Sequence, residues 1–299
     1  MTIGGKIGLV GAVLALAGAI VGAARALRGG GLHQLPAVSL GHNPLLAVGL
    51  GILLIGIFVY VFQPAFDFAL AQRSSATVRA VIAMLVVIVT LASVLSLPYA
   101  LVQGPRAAQP GPAGLVLLVA ASDIPILFLV WVRILRPRVV RWETLGISRE
   151  QLALRCGQGL AGGAAVFLAS AVVSAAVSRF GVQQNQYQRF TGVVGAPGGW
   201  FVITLLAGCV LVPFAEELFF RGYIFRTFLE RRGPVWGYLF SAGLFALAHT
   251  NLAALLPIFI IGLLLAWIFQ RTGSLLPGMI AHGINNAIAF SVLYYGIGH

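Results

Sequence analysis

Nine apolar runs follow one another along the chain, near residues 6–26, 45–63, 79–103, 114–135, 157–179, 199–220, 236–253, 255–270 and 276–296. Crossing a hydrocarbon layer about 30 Å thick takes roughly 20 apolar residues as a helix, and most of these runs reach or approach that length. A helix bonds its own backbone N–H and C=O groups, which hydrocarbon cannot do for it. Sixty per cent of the 299 residues are apolar and nine per cent charged, a balance that a soluble domain of this size does not tolerate. The expected fold is therefore all-α, a polytopic membrane helix bundle of eight to nine transmembrane helices, eight if an end segment is misread.

Where charge is so sparse, its placement carries information. The net charge of +12 falls at helix ends instead of on one polar face, which argues against a nucleic-acid partner and reports orientation. With the N-terminus inside, Lys6, Arg73, Arg79, the six arginines from Arg133 to Arg155, Arg221, Arg226, Arg231, Arg232 and Arg271 are cytoplasmic, 14 in all, against five outside. The outer five are Arg25, Arg28, Arg106, Arg179 and Arg189. Arg25 and Arg28 run against the rule, and a cleaved signal peptide over residues 1–24 is the alternative reading, because Lys6 precedes an apolar run ending in small residues. Richness in Ala, Gly, Leu, Val and Arg suggests a bacterial chain. The expected location is then the cell inner membrane, multi-pass, with the lipid bilayer as partner. Cys156 and Cys209 lie in or beside apolar segments and support neither a disulfide framework nor a cysteine-based metal site.

The strongest change in composition is the basic and aromatic stretch from Arg133 to Arg155, which reads as a cytoplasmic linker. It divides the chain into an N-terminal four-helix region, residues 1–150, and a C-terminal five-helix region, residues 151–299. The polar stretch 183–189 reads as an outer loop, and no internal repeat is evident. Gly18 with Gly22, and Gly159 with Gly163, are small residues at helical spacing, suited to close helix packing. In the N-terminal region Asp123 is the acid well inside a span. Beside Pro125, it is placed to bond backbone that the proline frees.

The other intramembrane polar residues gather in the C-terminal region: Glu216, Glu217 and Arg221, then His249, then His282, Asn285 and Asn286. A carboxylate in hydrocarbon costs roughly 2.5–3.5 kcal/mol, so two adjacent ones need a reason. Residues four apart share a helix face and neighbours differ by about 100°, so Glu217 faces Arg221 while Glu216 points elsewhere. By the same spacing His282 and Asn286 project together. Glu216 and His249 are each about 16 residues, roughly 25 Å, from the turn Arg231-Arg232-Gly233-Pro234, which sets them at one level. A helix from Gly199 to Glu230 would be about 48 Å long, leaving Glu216 within about 10 Å of the inner interface. Pro213 is positioned to kink that helix and open a cavity.

A carboxylate in apolar surroundings can take a proton from water near neutral pH, and a histidine beside it can hold that water or pass the proton on. A second histidine and an amide suit the oxyanion that forms when water attacks a peptide carbonyl. The alternative is a metal: Glu216, His249 and His282 would supply three ligands to zinc with a position open for water. The sequence lacks His-Glu-x-x-His, Gly-x-Gly-Asp with a second intramembrane aspartate, and Gly-x-Ser-x-Gly.

Taken together, Glu216-Glu217-x-x-x-Arg221, Phe245-x-x-x-His249 and His282-x-x-x-Asn286, with Thr272-Gly273-Ser274-Leu275 upstream, resemble the CPBP family of CAAX proteases and bacteriocin-processing enzymes, formerly Abi. The resemblance covers about residues 155–297 and rests on three motifs in order. It implies an intramembrane endopeptidase, glutamate- or metal-dependent, acting on a membrane-associated peptide or protein from the cytoplasmic side. Glu216 and His249 would activate water, His282 and Asn286 would stabilise the oxyanion, and Glu217 with Arg221 would be a supporting ion pair. Two other classes stay open: a proton-coupled transporter, since acids and histidines in spans also serve transport, and a catalytically silent membrane protein that binds a partner.

Overall fold

The computed structural model of the protein describes residues 3–28, 44–62, 74–104, 106, 109–135, 142–147, 150–181, 197–249, 251 and 253–295. Residues 136–141 of the expected linker and the polar stretch 183–189 lie outside the described residues. Among those described there are helices and no strands. In chain order the helices are α1 (Ile3–Arg28), α2 (Pro44–Phe62), α3 (Ser74–Gln103), α4 (Pro112–Val130), α5 (Leu152–Arg179), α6 (Gly198–Arg232), α7 (Pro234–Ala248), α8 (Leu255–Thr272) and α9 (Leu275–Tyr294). Six carry stretches long and apolar enough to cross a membrane: α3, α4 with the π turn that follows it, α5, α6, α8 and α9. In α1, α2 and α7 the described apolar stretches are shorter, at Lys6–Ala15, Val48–Ile57 and Pro234–Ala248. The chain is an all-α membrane bundle, and of the eight to nine crossings expected, length and composition identify six among the described residues.

Two compact units divide the chain, residues 1–87 with 132–139 and residues 88–131 with 140–299. In the first, α1 and α2 pack backbone to backbone. A side chain at Gly11 would run into the backbone of Leu53, and one at Gly49 into that of Ala15. Such contact needs small residues, because between helices in lipid the attraction is packing itself.

In the second unit α9 packs against α5, α6 and α8, while α4 lies along α6. The α5 helix turns its small residues inward, with Ile280 and Ile284 of α9 seated where side chains at Gly159 and Gly163 would be. Leu160, Leu168 and Val172 of α5 are exposed, as suits a face toward lipid. The start of α9 is fixed by a turn over residues 142–147, whose Gly146 adopts φ +93° and accepts the Leu275 N–H at 2.8 Å. A side chain there would be strained by the backbone and would meet Phe269.

Two departures from the expected helices bear on the site. The expected span 236–253 stops early: α7 is 15 residues long, about 22 Å, and His249 is its C-cap. The Asn251 side chain accepts the N–H groups of Ala253 at 3.1 Å and Ala254 at 3.3 Å, a local bond that competes with helix continuation and starts α8. The second departure is in α6, which runs through 35 residues but carries π turns at Ala207–Leu211 and Leu218–Phe225, on either side of the α-helical stretch Val212–Glu217. Pro213 explains the first. Having no N–H, it leaves Cys209 O without its usual α-helical donor and Gly208 O without the π-helical one.

Candidate active site

The stretch Val212–Glu217 presents its two glutamates in different directions. Glu217 faces Arg221 one turn on, with Arg221 Nη1 donating to Glu217 Oε1 at 2.7 Å, both side chains being fully buried. Arg221 Nη2 donates to Gly262 O of α8 at 3.1 Å, and the guanidinium lies 4.4 Å from the centre of the Phe245 ring. A planar cation is thus held by a carboxylate, a carbonyl and an aromatic face, the surroundings that make burial of arginine tolerable. The second π turn of α6 contributes as well, because Ser241 of α7 donates to Phe220 O at 2.9 Å and ties α7 to this turn.

Glu217 has a second partner 65 residues away, His282 of α9, whose Nδ1 is 3.2 Å from Glu217 Oε1. A carboxylate accepts, so Nδ1 carries the hydrogen, and Nε2 is the nitrogen turned toward Glu216. Glu216 Oε2 lies 3.7 Å from His282 Nε2, with its side chain 16% exposed against 1% for Glu217. The result is a linear arrangement, Arg221–Glu217–His282–Glu216. A buried carboxylate orients an imidazole, and the imidazole meets a second, more accessible carboxylate.

The Pro213 turn seats α9 beside these groups. Asn286 Nδ2 donates to Gly208 O at 2.8 Å, supplying one of the bonds that the proline removes, and this nitrogen has a second hydrogen left to give. Gly283 lies so close to Cys209 O that any side chain there would collide with it. His249 Nδ1 is 2.8 Å from Phe245 O, which as a carbonyl must accept, so Nδ1 carries the hydrogen and Nε2 is the nitrogen left for another partner. The Phe245 ring packs edge-on against both imidazoles, 4.8 Å from that of His249 and 5.7 Å from that of His282.

The structure therefore brings Glu217, Arg221 and His282 into one bonded group with Glu216 3.7 Å from His282, places Asn286 one turn along α9 from His282, and joins His249 to the group through Phe245. Glu216 was expected to face His249; the imidazole that it approaches is His282. Among the described residues no three His, Cys, Asp or Glu side chains come near enough to share a metal ion. Glu216, His249 and His282 form no such group among the described residues, and no step is routed through a metal. Two features were not read from the sequence. One is the bond from Glu217 to His282, for which spacing along a helix holds no signal. The other is the burial of Asp123, 2% exposed on α4, a helix that packs along α6. Its position inside a span was a signal, but Pro125 beside it offered a local explanation.

Residues 198–288 match the family model described as type II CAAX prenyl endopeptidase Rce1-like. The chain is also 32% identical over 85 residues to a protein of Lactococcus lactis subsp. lactis described as UPF0177 protein YxdF, a match that takes in 28% of this chain and 46% of that protein. No solved structure matches. The matched segment holds Glu216, Glu217, Arg221, His249, His282 and Asn286, in helices that span an all-α bundle. Over residues 198–288 the chain is thus similar to type II CAAX prenyl endopeptidases of the Rce1-like kind, and its match takes in about half the length of the Lactococcus lactis relative.

Proposed function

We propose that the protein is an intramembrane endopeptidase that hydrolyses a membrane-associated peptide or protein, with Glu216 as its general base. The observation that carries this reading is that the family match over residues 198–288 falls on the segment that holds a carboxylate–imidazole–carboxylate arrangement, its inner carboxylate buried, in a membrane bundle. Glu216 is the more accessible of the two glutamates and the one without an arginine of its own. It takes a proton from water, and the hydroxide oxygen adds to the scissile carbonyl carbon. His249 Nε2 is free to hold that water. The oxyanion is met by the second Asn286 N–H and by the Nε2–H of a His282 imidazolium, which enters the cycle already protonated and leaves it with the same proton. Returning the proton from Glu216 to the amide nitrogen lets the C–N bond break. Glu217 accepts the His282 Nδ1–H and so fixes the ring throughout, and Arg221 holds Glu217 in place.

Residues 151–299 would form the protease core, with α4 lying against it from the N-terminal side of that boundary. In the orientation set by the arginines, the site opens toward the cytoplasm from the cell inner membrane. The test is a comparison of membrane and secreted peptides from cells carrying the wild type, Glu216→Gln or Glu216→Ala. Peptides that appear only with the wild type identify substrates, and loss of about 10²-fold or more in their cleavage is expected on removing the base. Undiminished cleavage in both folded variants would remove Glu216 from this role. Cleavage is also expected to survive chelation, and a chelated enzyme that is dead but rescued by zinc would overturn the metal-free mechanism.

A further inference from the structure

The turn over residues 142–147 lies outside the matched segment, yet it packs against the helices that carry the site. It closes on itself, with Trp142 O accepting the N–H groups of Leu145 and Ile147 at 3.0 Å and Glu143 O that of Gly146 at 3.0 Å. Gly146 O then accepts the N–H of Leu275, the first residue of α9, at 2.8 Å. That donor has no partner within its own helix, so the turn supplies the acceptor that α9 lacks. Leu145, 2% exposed, reaches α6: a side chain at Gly222 would stand 3.1 Å from Leu145 O and 3.4 Å from Leu275 Cδ1. Gly222 directly follows Arg221 in the second π turn. The turn thus occupies the place where α9 starts against α6.

From there α9 follows α6 with one stripe of residues, since positions 275, 278 and 282 share a helix face. Leu275 meets Gly222. A side chain at Gly278 would stand 3.1 Å from Glu217 Oε2, and His282 Nδ1 meets Glu217 Oε1 at 3.2 Å. Leu275 and His282 are seven residues apart, about 10 Å of stiff helix, so a shift where α9 starts is carried to the imidazole. We propose that Gly146 is a positioning residue for the reaction: with Leu145 it fixes the register of α9 on α6, and so sets where His282 meets Glu217. Only glycine suits the position, because φ +93° disfavours a side chain and Phe269 Cε2 stands 2.7 Å from where one would begin. A segment outside the family match in this way sets the geometry inside it. The proposal rests on His282 serving the reaction.

The test reads the His282–Glu217 bond directly. In protein carrying isotope-labelled histidine in lipid nanodiscs, the His282 Nδ1–H gives a downfield proton magnetic resonance, identified by its loss in His282→Gln. Gly146→Ala is expected to shift that resonance upfield or abolish it, and Leu145→Val to shift it the same way by less. Phe228→Leu, a buried change where α6 stacks on Phe240 of α7, is expected to lower the melting temperature and leave the resonance in place. A resonance unmoved in folded Gly146→Ala, or moved equally by Phe228→Leu, overturns the proposal. If Gly146→Ala does not fold, Leu145→Val decides by the same two outcomes. On a peptide that the wild type cleaves, Gly146→Ala should lower kcat about 10-fold or more with KM little changed, since misplacement by about 1 Å costs up to about 10²-fold. An unchanged kcat beside a moved resonance overturns the role in the reaction. If no form of the protein cleaves any peptide, the peptidase reading fails and the resonance alone decides whether the turn sets the contact.

Discussion

Glu216 and Glu217 are adjacent, yet their surroundings give them opposite consequences on substitution. Glu217→Gln leaves Arg221 fully buried without its counter-ion and offers His282 a neutral amide oxygen in place of a carboxylate. Removing one member of a buried pair costs about 3–5 kcal/mol, so thermal denaturation of the purified variant in detergent should show a large loss of stability. Glu216→Gln neutralises a carboxylate whose nearest basic group is a histidine nitrogen at 3.7 Å. Its stability should stay within about 1 kcal/mol of wild type while cleavage falls. Equal destabilisation by the two changes would mean that the pair acts as one structural unit. Arg221→Lys belongs at this scale too, because an ammonium cannot reach both Glu217 and Gly262 O in the fork geometry observed. A loss of about 2 kcal/mol or more is expected in the same measurement. The Glu217–Arg221 contact was legible in the sequence, since four residues of helix bring two side chains together whatever else the chain does. The Glu217–His282 contact was not.

At the scale of elements, α6 matters because it is not a uniform helix. Pro213 withholds the N–H that Cys209 O or Gly208 O would accept, and α9 answers with Asn286 on Gly208 O and a bare Gly283 against Cys209 O. Asn286→Ala should therefore destabilise the protein by about 1–3 kcal/mol through an unbonded buried carbonyl, besides any effect on the reaction. Pro213→Ala restores the missing donor. Its melting temperature should hold or rise while cleavage falls, because an ordinary helical turn would take back the carbonyl that seats α9. Falling stability with unchanged cleavage would show that the turn does not position the site. A proline inside an apolar run announced an irregularity. Which helix would repair it lay in packing, since a freed carbonyl names no partner.

For the whole molecule, the arginine distribution makes a topological prediction. Cys156 is exposed at the start of α5, beside Arg155 at the basic end of the linker. A membrane-impermeant maleimide should label it in inverted inner-membrane vesicles and not in spheroplasts, with Cys156→Ser as control; the reverse pattern would turn the site to the other face. The sequence by itself determined what is local or additive along the chain. Runs of apolar residues dictate helices, charge at their ends dictates orientation, and four-residue spacing dictates which side chains share a face. The tertiary structure decided what depends on neighbours distant in sequence: that His282, and not His249, meets Glu216, and that α7 stops at His249. The physical reason is that periodicity tells which way a side chain points from its own helix. What it meets there is set by glycine contacts, π turns and caps that bring one helix against another.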